Sequence, residues 1–113
     1  MNPKYHLDDK VCLFYSERII EQIRRSIYKK ELVDIQKLFE EIETYFIIEI
    51  TIKKDNVTYL INETNCRDYL TNFSVDENEL TSDIETAKNM IKEIFRKELK
   101  EYQEIVNKSL ENL

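Results

Sequence analysis

The chain is 113 residues long, carries a net charge of -6 and contains no glycine. Glycine supplies the positive-φ turns of most phosphate-binding loops, so the composition excludes P-loop, GxGxxG and GxSxG sites. Hydrophobic residues make up 42% of the chain and aromatic residues 11%, which excludes a disordered protein and fits one folded domain over residues 1–113.

The N-terminal segment and the two cysteines indicate the cellular compartment of the protein. Residues 1–10 contain no apolar stretch of the signal-peptide type, and Glu49 interrupts the longest apolar run, which is too short to cross a membrane. Cys12 and Cys66 belong to no CxxC pair and are expected to be reduced thiols packed as small hydrophobic residues, with a disulfide as the alternative. We therefore expect a cytoplasmic protein that does not bind membranes.

A helical period of apolar residues runs from about Asp8 to Tyr45. The first stripe consists of Ile19, Ile20, Ile23 and Ile27, and the second of Leu32, Ile35, Leu38, Phe39 and Ile42. No glycine or proline separates the stripes at residues 28–31. Two helices with a tight polar corner are favoured, and one long bent helix is the alternative.

Between residues 46 and 62 the apolar period falls to two, which predicts a two-stranded antiparallel hairpin. One face carries Phe46, Ile48, Ile50 and Ile52 on the first strand and Val57, Tyr59 and Ile61 on the second. Asp55 and Asn56 suit a two-residue turn that needs no glycine. Such a turn sets three pairs: Lys54 with Val57, Ile52 with Tyr59, and Ile50 with Ile61.

The region from Thr64 to Thr81 is irregular, with one helical turn expected at residues 66–70. Ser82 then begins a long helix over about residues 83–112, as the N-cap of a capping box closed by Glu85. Its apolar stripe comprises Ile84, Ala87, Ile91, Ile94, Leu99, Tyr102, Val106, Leu110 and Leu113. Thirty helical residues span roughly 45 Å, so the last turns are expected to project or to pack on a second chain.

These elements predict an α+β fold in the order α-α-β-β-α, with the hairpin packed on the helices. The simplest such layer buries Ile48, Ile50, Ile52, Tyr59 and Ile61.

The inventory of catalytic residues is poor, and the sequence predicts no catalytic, cofactor or metal site. His6 is the one histidine, and no HExxH, Glu-x-x-His or EF-hand spacing occurs. A small enzyme that uses Cys12 or Cys66 as its nucleophile is the least favoured alternative.

Negative charge is concentrated in the middle of the chain. The principal carboxylates are Asp76, Glu77, Glu79, Asp83 and Glu85. Acidic residues stabilise a helix N-terminus, which accounts for part of this cluster. The remainder predicts an acidic surface for a partner protein with a basic surface, such as a nucleic-acid-binding groove.

The last helix carries a second charged feature, a basic ridge. Lys88, Lys92, Arg96 and Lys100 recur every four residues. Like charges at this spacing repel modestly, so the ridge indicates a contact surface rather than a device for helix stability. Direct binding of nucleic acid is an alternative, which the net charge of -6 disfavours.

Tyrosines are enriched at interface hot spots and supply further candidates. Tyr5, Tyr15 and Tyr69 lie in less regular segments and are candidate contact residues. Tyr59 and Tyr102 lie on apolar stripes and are expected in the core.

Taken together, these features predict a non-enzymatic binding protein that inhibits a partner protein by occluding it. In size, acidity, Ile- and Lys-rich composition and lack of catalytic residues, the chain resembles the small inhibitors of phages and mobile elements, anti-CRISPR proteins and other anti-defence factors among them. No family motif accompanies this resemblance, so it assigns no residue a role. The alternative is an oligomeric regulatory or adaptor protein, of the antitoxin or immunity type, that forms a homodimer through the C-terminal helix.

Overall fold

The computed structural model describes residues 2–63 and 72–112. Over these residues the fold is α+β, with five antiparallel strands and three α-helices. The strands are β1 (Lys10–Leu13), β2 (Glu43–Ile52), β3 (Val57–Asn62), β4 (Phe73–Asp76) and β5 (Leu80–Thr81). The helices are α1 (Ser16–Tyr28), α2 (Ile35–Phe39) and α3 (Ile84–Glu111), and a 3₁₀ turn (Glu77–Glu79) joins β4 to β5. The α+β class and the long C-terminal helix are confirmed, whereas the order α-α-β-β-α is wrong.

The chain divides into two compact units. The sheet unit comprises Met1–Phe14 and Ile42–Ala87, and the helical unit comprises Tyr15–Glu41 and Lys88–Leu113. Because both units are built from interleaved segments of one chain, the expectation of a single domain stays a prediction.

The sheet has the strand order β4-β3-β2-β1-β5, so the two-stranded sheet expected from the sequence is too small. The edge strands β4 and β5 are separated in sequence only by the 3₁₀ turn. A three-residue connection can join the two edges of a five-stranded sheet only if the sheet curls. The apolar residues of its strands therefore face a common interior.

Strand β1 lies in a segment that was expected to be helical. Val11, Cys12 and Leu13 are buried, and the strand pairs with β2 on one side and β5 on the other. A short apolar run fits either a helix or a strand by its period alone, and here the pairing with two neighbouring strands decides.

β2 and β3 form the expected hairpin in a different register. Ile52 pairs with Val57 and Ile50 with Tyr59, so the predicted pairing is wrong by two residues. The connection holds the four residues 53–56 and is closed by a hydrogen bond of 2.8 Å from the Lys53 N–H to the Asn56 carbonyl.

A β-bulge in β2 changes which residues face the core. The register shifts between Ile47 and Glu49, so that Ile47 pairs with Ile61. A bulge adds one residue to one strand and so reverses the alternation beyond it. Ile47 and Tyr45 therefore join the core. Ile52, expected to be buried, is exposed at the end of β2, next to the turn.

The core of the sheet unit draws on every strand and on the N-terminal segment. It consists of Tyr5, Val11, Leu13, Tyr45, Ile47, Val57, Tyr59, Ile61, Val75 and Leu80, with Ile50 and Phe73 packed against it. The Tyr5 and Tyr59 rings meet edge to face, with 5.6 Å between their centroids.

The helical unit contains two separate helices before α3, as the sequence favoured, and not the one long bent helix that was the alternative. Ile19 and Ile23 of α1 are buried as the first stripe predicts. α1 ends at Tyr28, and Lys30, two residues later, has a left-handed φ of 59°. α2 begins after Asp34, whose carboxylate accepts a hydrogen bond from the Lys37 N–H. Leu32 was placed on the second stripe and is 97% exposed, because it lies in the connection between the helices.

One ion pair joins α1 to α3 within the helical unit. The Arg24 guanidinium donates two hydrogen bonds to the Glu98 carboxylate, with Nε–Oε2 at 2.9 Å and Nη2–Oε1 at 3.2 Å. Glu98 is buried, and a buried carboxylate needs such a partner. The pair fixes α1 beside the middle of α3.

Candidate functional site

The five predicted acidic residues all lie in the sheet unit, between the end of β4 and the first turn of α3. This acidic surface consists of Asp76, Glu77, Glu79, Asp83 and Glu85. Asp76, Glu79, Asp83 and Glu85 are exposed, and Glu77 is half-buried. The side chains differ in what they already contact.

Glu77 is bound within the sheet unit. Its carboxylate accepts hydrogen bonds from the Tyr59 hydroxyl and from the Lys4 backbone N–H, the second at 3.0 Å. These bonds stabilise the ionised form, so the hydrogen bond from Tyr59 above all lowers the pKa of Glu77. Burial, followed by the hydrogen bond to Glu77, raises the pKa of Tyr59. Glu77 therefore has a structural role.

The 3₁₀ turn is also anchored at its far end. The Tyr5 hydroxyl donates a hydrogen bond of 3.1 Å to the Leu80 carbonyl. Tyr5 was a candidate contact residue, but it is buried in the core and so is unavailable to a partner.

Asp83 caps α3, which corrects the assignment of Ser82 as N-cap. The Asp83 carboxylate accepts a hydrogen bond of 2.7 Å from the Thr86 backbone N–H, three residues into the helix. This bond is the main reason that the pKa of Asp83 lies below its ordinary value. Ser82 instead donates its hydroxyl to Asp83 at 3.3 Å, so the capping motif is shifted by one residue.

Glu77 and Asp83 thus accept hydrogen bonds from backbone N–H groups and hold the backbone in place. The other three carboxylates are exposed to solvent. Asp76, Glu79 and Glu85 lie on a segment pinned through Glu77 and Asp83. Asp76 also accepts a weak hydrogen bond, of 3.4 Å, from the Asn56 side chain. Negative charge is therefore presented from a fixed backbone.

An apolar groove of about 500 Å³ lies beside the first turn of α3. Its lining consists of Lys10, Cys12, Thr44 and residues 82–85. Burial raises the pKa of the Cys12 thiol, which is free and buried. A neutral thiol is a poor nucleophile, so the geometry disfavours Cys12 chemistry; Cys66 lies outside the described residues.

The basic ridge does not act as one set of four cations. The Lys88 and Lys92 ammonium groups lie 5.3 and 5.9 Å from the centroid of the Phe39 ring of α2, within cation–π range. The Arg96 guanidinium bonds the Glu93 carboxylate one turn before it. Lys100 is exposed. The first three cations therefore have intramolecular roles.

The sequence predicted only some of the apolar residues that are exposed on the helical unit. Every residue from 101 to 111 of α3 is exposed, including Tyr102, which was expected in the core. Tyr28, which the sequence did not single out, is 88% exposed at the end of α1. Tyr28 lies four residues after Arg24, so the two share one side of α1, and the Arg24–Glu98 pair places that side next to α3. Tyr15 is exposed as a candidate contact residue should be, and Tyr69 lies outside the described residues.

Tyr28 belongs to a second apolar groove, of about 340 Å³, within the helical unit. The groove is lined by Arg24, Ile27 and Tyr28 of α1 and by Glu98, Glu101, Tyr102 and Ile105 of α3. The Arg24–Glu98 pair closes one end of this groove.

Other kinds of site find no support in the part of the chain that the structure describes. Among residues 2–63 and 72–112, no three His, Cys, Asp or Glu side chains are grouped to hold a metal ion. No helix within these ranges combines the length and the apolar character that crossing a membrane requires. The helical turn expected at residues 66–70 falls outside them.

The chain matches no protein-family model, and no curated protein or solved structure matches it. Its function is therefore argued from its own surfaces.

Proposed function

We propose that this chain is a non-enzymatic binding protein that occludes a basic surface of a partner protein. The observation that carries the proposal is the position of Asp76, Glu79 and Glu85, exposed on a backbone that Glu77 and Asp83 fix. A preorganised surface loses little conformational freedom on binding. Its charges are therefore already placed for a complementary partner.

Local composition supports the same proposal. Residues 72–87 contain five carboxylates and no Lys, Arg or His. An uninterrupted field of one sign attracts the opposite sign and speeds association. A groove that binds the phosphates of a nucleic acid has the matching charge.

The basic ridge supports a nucleic-acid function less well. Lys88 and Lys92 lie against Phe39 and Arg96 is paired with Glu93, so phosphate contacts would compete with interactions already made. We therefore give the ridge no part in the proposed function.

The test compares two triple variants that remove the same charge from different places. D76N/E79Q/E85Q neutralises the exposed members of the acidic surface. E17Q/E40Q/E63Q neutralises three exposed carboxylates elsewhere. Each protein is used as bait in lysate of the source cells with and without nuclease treatment, and captured proteins are purified and titrated against both variants at low and high salt.

We expect a protein partner that binds the wild type and E17Q/E40Q/E63Q but loses affinity for D76N/E79Q/E85Q. Binding should also weaken at high salt, since the screening length falls from about 10 Å at 0.1 M to about 3 Å at 1 M. Equal capture by the two triple variants, or capture that nuclease treatment abolishes, would overturn the proposal.

A further inference from the structure

From the groove between α1 and α3 we infer that the helical unit binds an arginine side chain of a partner protein. The site is the Tyr28 groove, defined as the apolar groove of about 340 Å³ whose lining includes Tyr28, Glu101 and Tyr102. All of its lining residues belong to the helical unit. The inference is therefore independent of the acidic surface, which lies in the sheet unit.

Each helix contributes residues from one of its sides to the groove. On α3 the lining residues lie three, four and seven positions after Glu98, and so within about 100° around the helix axis. On α1, Tyr28 lies four positions after Arg24 and shares its side of the helix. The ion pair between Arg24 and Glu98 joins these same two sides, so the groove runs along the contact between the helices.

The charges that line the groove do not cancel. Both oxygens of the Glu98 carboxylate accept hydrogen bonds from Arg24, and the Glu98 side chain is only 9% exposed. The hydrogen bonds and the charge of Glu98 raise the pKa of Arg24 most, and the charge of Glu101 adds to this rise. Among the described residues, Glu101 has no ion-pair partner of its own. One negative charge is therefore left over at the groove.

This remaining charge decides what kind of occupant fits. An uncharged apolar occupant would remove the Glu101 carboxylate from water without giving it a partner, which is costly. An anionic occupant would be repelled by Glu101 and would find Arg24 already paired with Glu98. A cation supplies the missing partner, so the groove fits a positively charged group.

Two tyrosine rings determine which cation fits best. Tyr28 is 88% exposed and Tyr102 is 47% exposed. In the part of the chain that the structure describes, the cations that lie over aromatic rings do so at Tyr5 and Phe39, so no internal cation occupies the two rings of the groove. A guanidinium is planar and weakly hydrated, and it can stack on an aromatic ring while its N–H groups bond a carboxylate. A compact, strongly hydrated ammonium matches less well, so the groove favours arginine over lysine.

The size of the groove suits a single side chain. Ligand pockets range from about 300 to 1,000 Å³, and a volume of about 340 Å³ lies near the lower limit. Ile27 and Ile105 supply apolar surface in the lining. The methylene stem of an arginine can pack on such surface while its charged end reaches Glu101.

NMR titration of the full chain with three small probes tests the assignment. The probes are N-acetyl-arginine amide, its lysine analogue and its citrulline analogue, in which an uncharged urea group replaces the guanidinium. We expect the arginine probe to shift the ring signals of Tyr28 and Tyr102 with a dissociation constant of about 1 mM, as is usual for so small a ligand. The lysine probe should bind several-fold more weakly, and the citrulline probe should leave these signals unchanged.

Single substitutions separate the contributions of the ring and the carboxylate. Y28L removes the aromatic face and should weaken binding of the arginine probe about two- to fivefold, whereas Y28F keeps the ring and should bind like the wild type. E101Q should weaken binding about two- to fivefold. E111Q makes the same charge change about 15 Å further along α3 and should have little effect. All three positions are exposed, so circular dichroism should show an unchanged fold.

Several outcomes would overturn the inference. Equal shifts with the arginine and citrulline probes would show that charge is not recognised, and equal binding of the lysine probe would remove the preference for arginine. Equal weakening by E101Q and E111Q would exclude the carboxylate. Shifts of Tyr28 and Tyr102 that follow protein concentration without any probe would show that a second copy covers the groove.

The proposed function and this inference can fail separately. D76N/E79Q/E85Q should bind the arginine probe like the wild type, because its substitutions lie in the sheet unit. Loss of the partner protein by that variant with retained binding of the probe would support both conclusions. Loss of probe binding in D76N/E79Q/E85Q would contradict the assignment of the site to the helical unit.

Discussion

Glu77 lies where three parts of the sheet unit meet: the N-terminal segment through Lys4, β3 through Tyr59, and the 3₁₀ turn to which it belongs. Its neighbours in sequence, Asp76 and Glu79, are exposed. Glu77 therefore stabilises the fold, whereas Asp76 and Glu79 face solvent. Sequence alone could not distinguish them, because the residues that bind Glu77 are distant in the chain.

We expect E77Q to lower the free energy of unfolding by about 1 kcal/mol at neutral pH, the net contribution of an ordinary hydrogen bond, because solvent screens the charge of the half-buried carboxylate. The folded-state pKa of Glu77 lies below its ordinary value of 4.5. The stability it contributes is therefore complete above the unfolded-state pKa and is lost as pH falls through the folded-state pKa. Urea unfolding at a series of pH values should show the difference between wild type and E77Q shrinking in acid.

E79Q is the matched control, since it removes the same charge two residues along from an exposed side chain. It should change the urea midpoint little at neutral pH. An E77Q effect that stays constant down to acid pH would show that the ionised carboxylate is not what stabilises the turn.

The end of α1 shows how an element ends without glycine. The Lys30 N–H bonds the Ile27 carbonyl at 3.1 Å and the Glu31 N–H bonds the Ser26 carbonyl at 2.9 Å, the two hydrogen bonds of a Schellman motif. Lys30 occupies the left-handed position, with φ of 59°, where glycine is normally found. A side chain there carries a steric cost that a glycine avoids.

K30G should therefore stabilise the protein, by about 0.5–1 kcal/mol once the greater freedom of glycine in the unfolded chain is subtracted from the relief of strain. K29G makes the same charge change one residue earlier, where φ is -80° and right-handed. There glycine brings only its entropic cost, so K29G should be destabilising. Urea midpoints of the two variants should move in opposite directions, and a lower midpoint for K30G would contradict the strain argument.

At the level of elements, the sequence located those with a long regular period. α1, α3 and the existence of the β2–β3 hairpin were predicted, because each repeats its apolar pattern several times. β1, β4 and β5 were missed, since strands of two to four residues hold too few repeats to reveal a period. The bulge after Ile47 was missed because Ile47 and Ile48 are both apolar, and either can continue the alternation.

Over the whole molecule, the sequence predicted where the charged surfaces lie. It did not predict which of their side chains already make contacts within the protein. The acidic residues cluster as the sequence indicates, yet Glu77 and Asp83 are engaged in hydrogen bonds. The basic ridge follows its four-residue period, yet Phe39 and Glu93 occupy most of it. These contacts join residues that are distant in the sequence, so a helical period or a local charge count does not predict them.

The last turns of α3 give the corresponding prediction for the whole chain. Because every residue from 101 to 112 is exposed, a chain that ends at Lys100 should keep the wild-type urea midpoint at low protein concentration, within about 0.5 kcal/mol. A chain that ends at Met90 removes the buried Ile91 and the Glu98 partner of Arg24, and should lose most of its stability.

Urea unfolding of the two truncated chains at one low protein concentration separates the contributions of the two parts of α3. A large loss of stability in the chain ending at Lys100 would place the last turns in the folded structure, and the exposed apolar face would then be needed for folding.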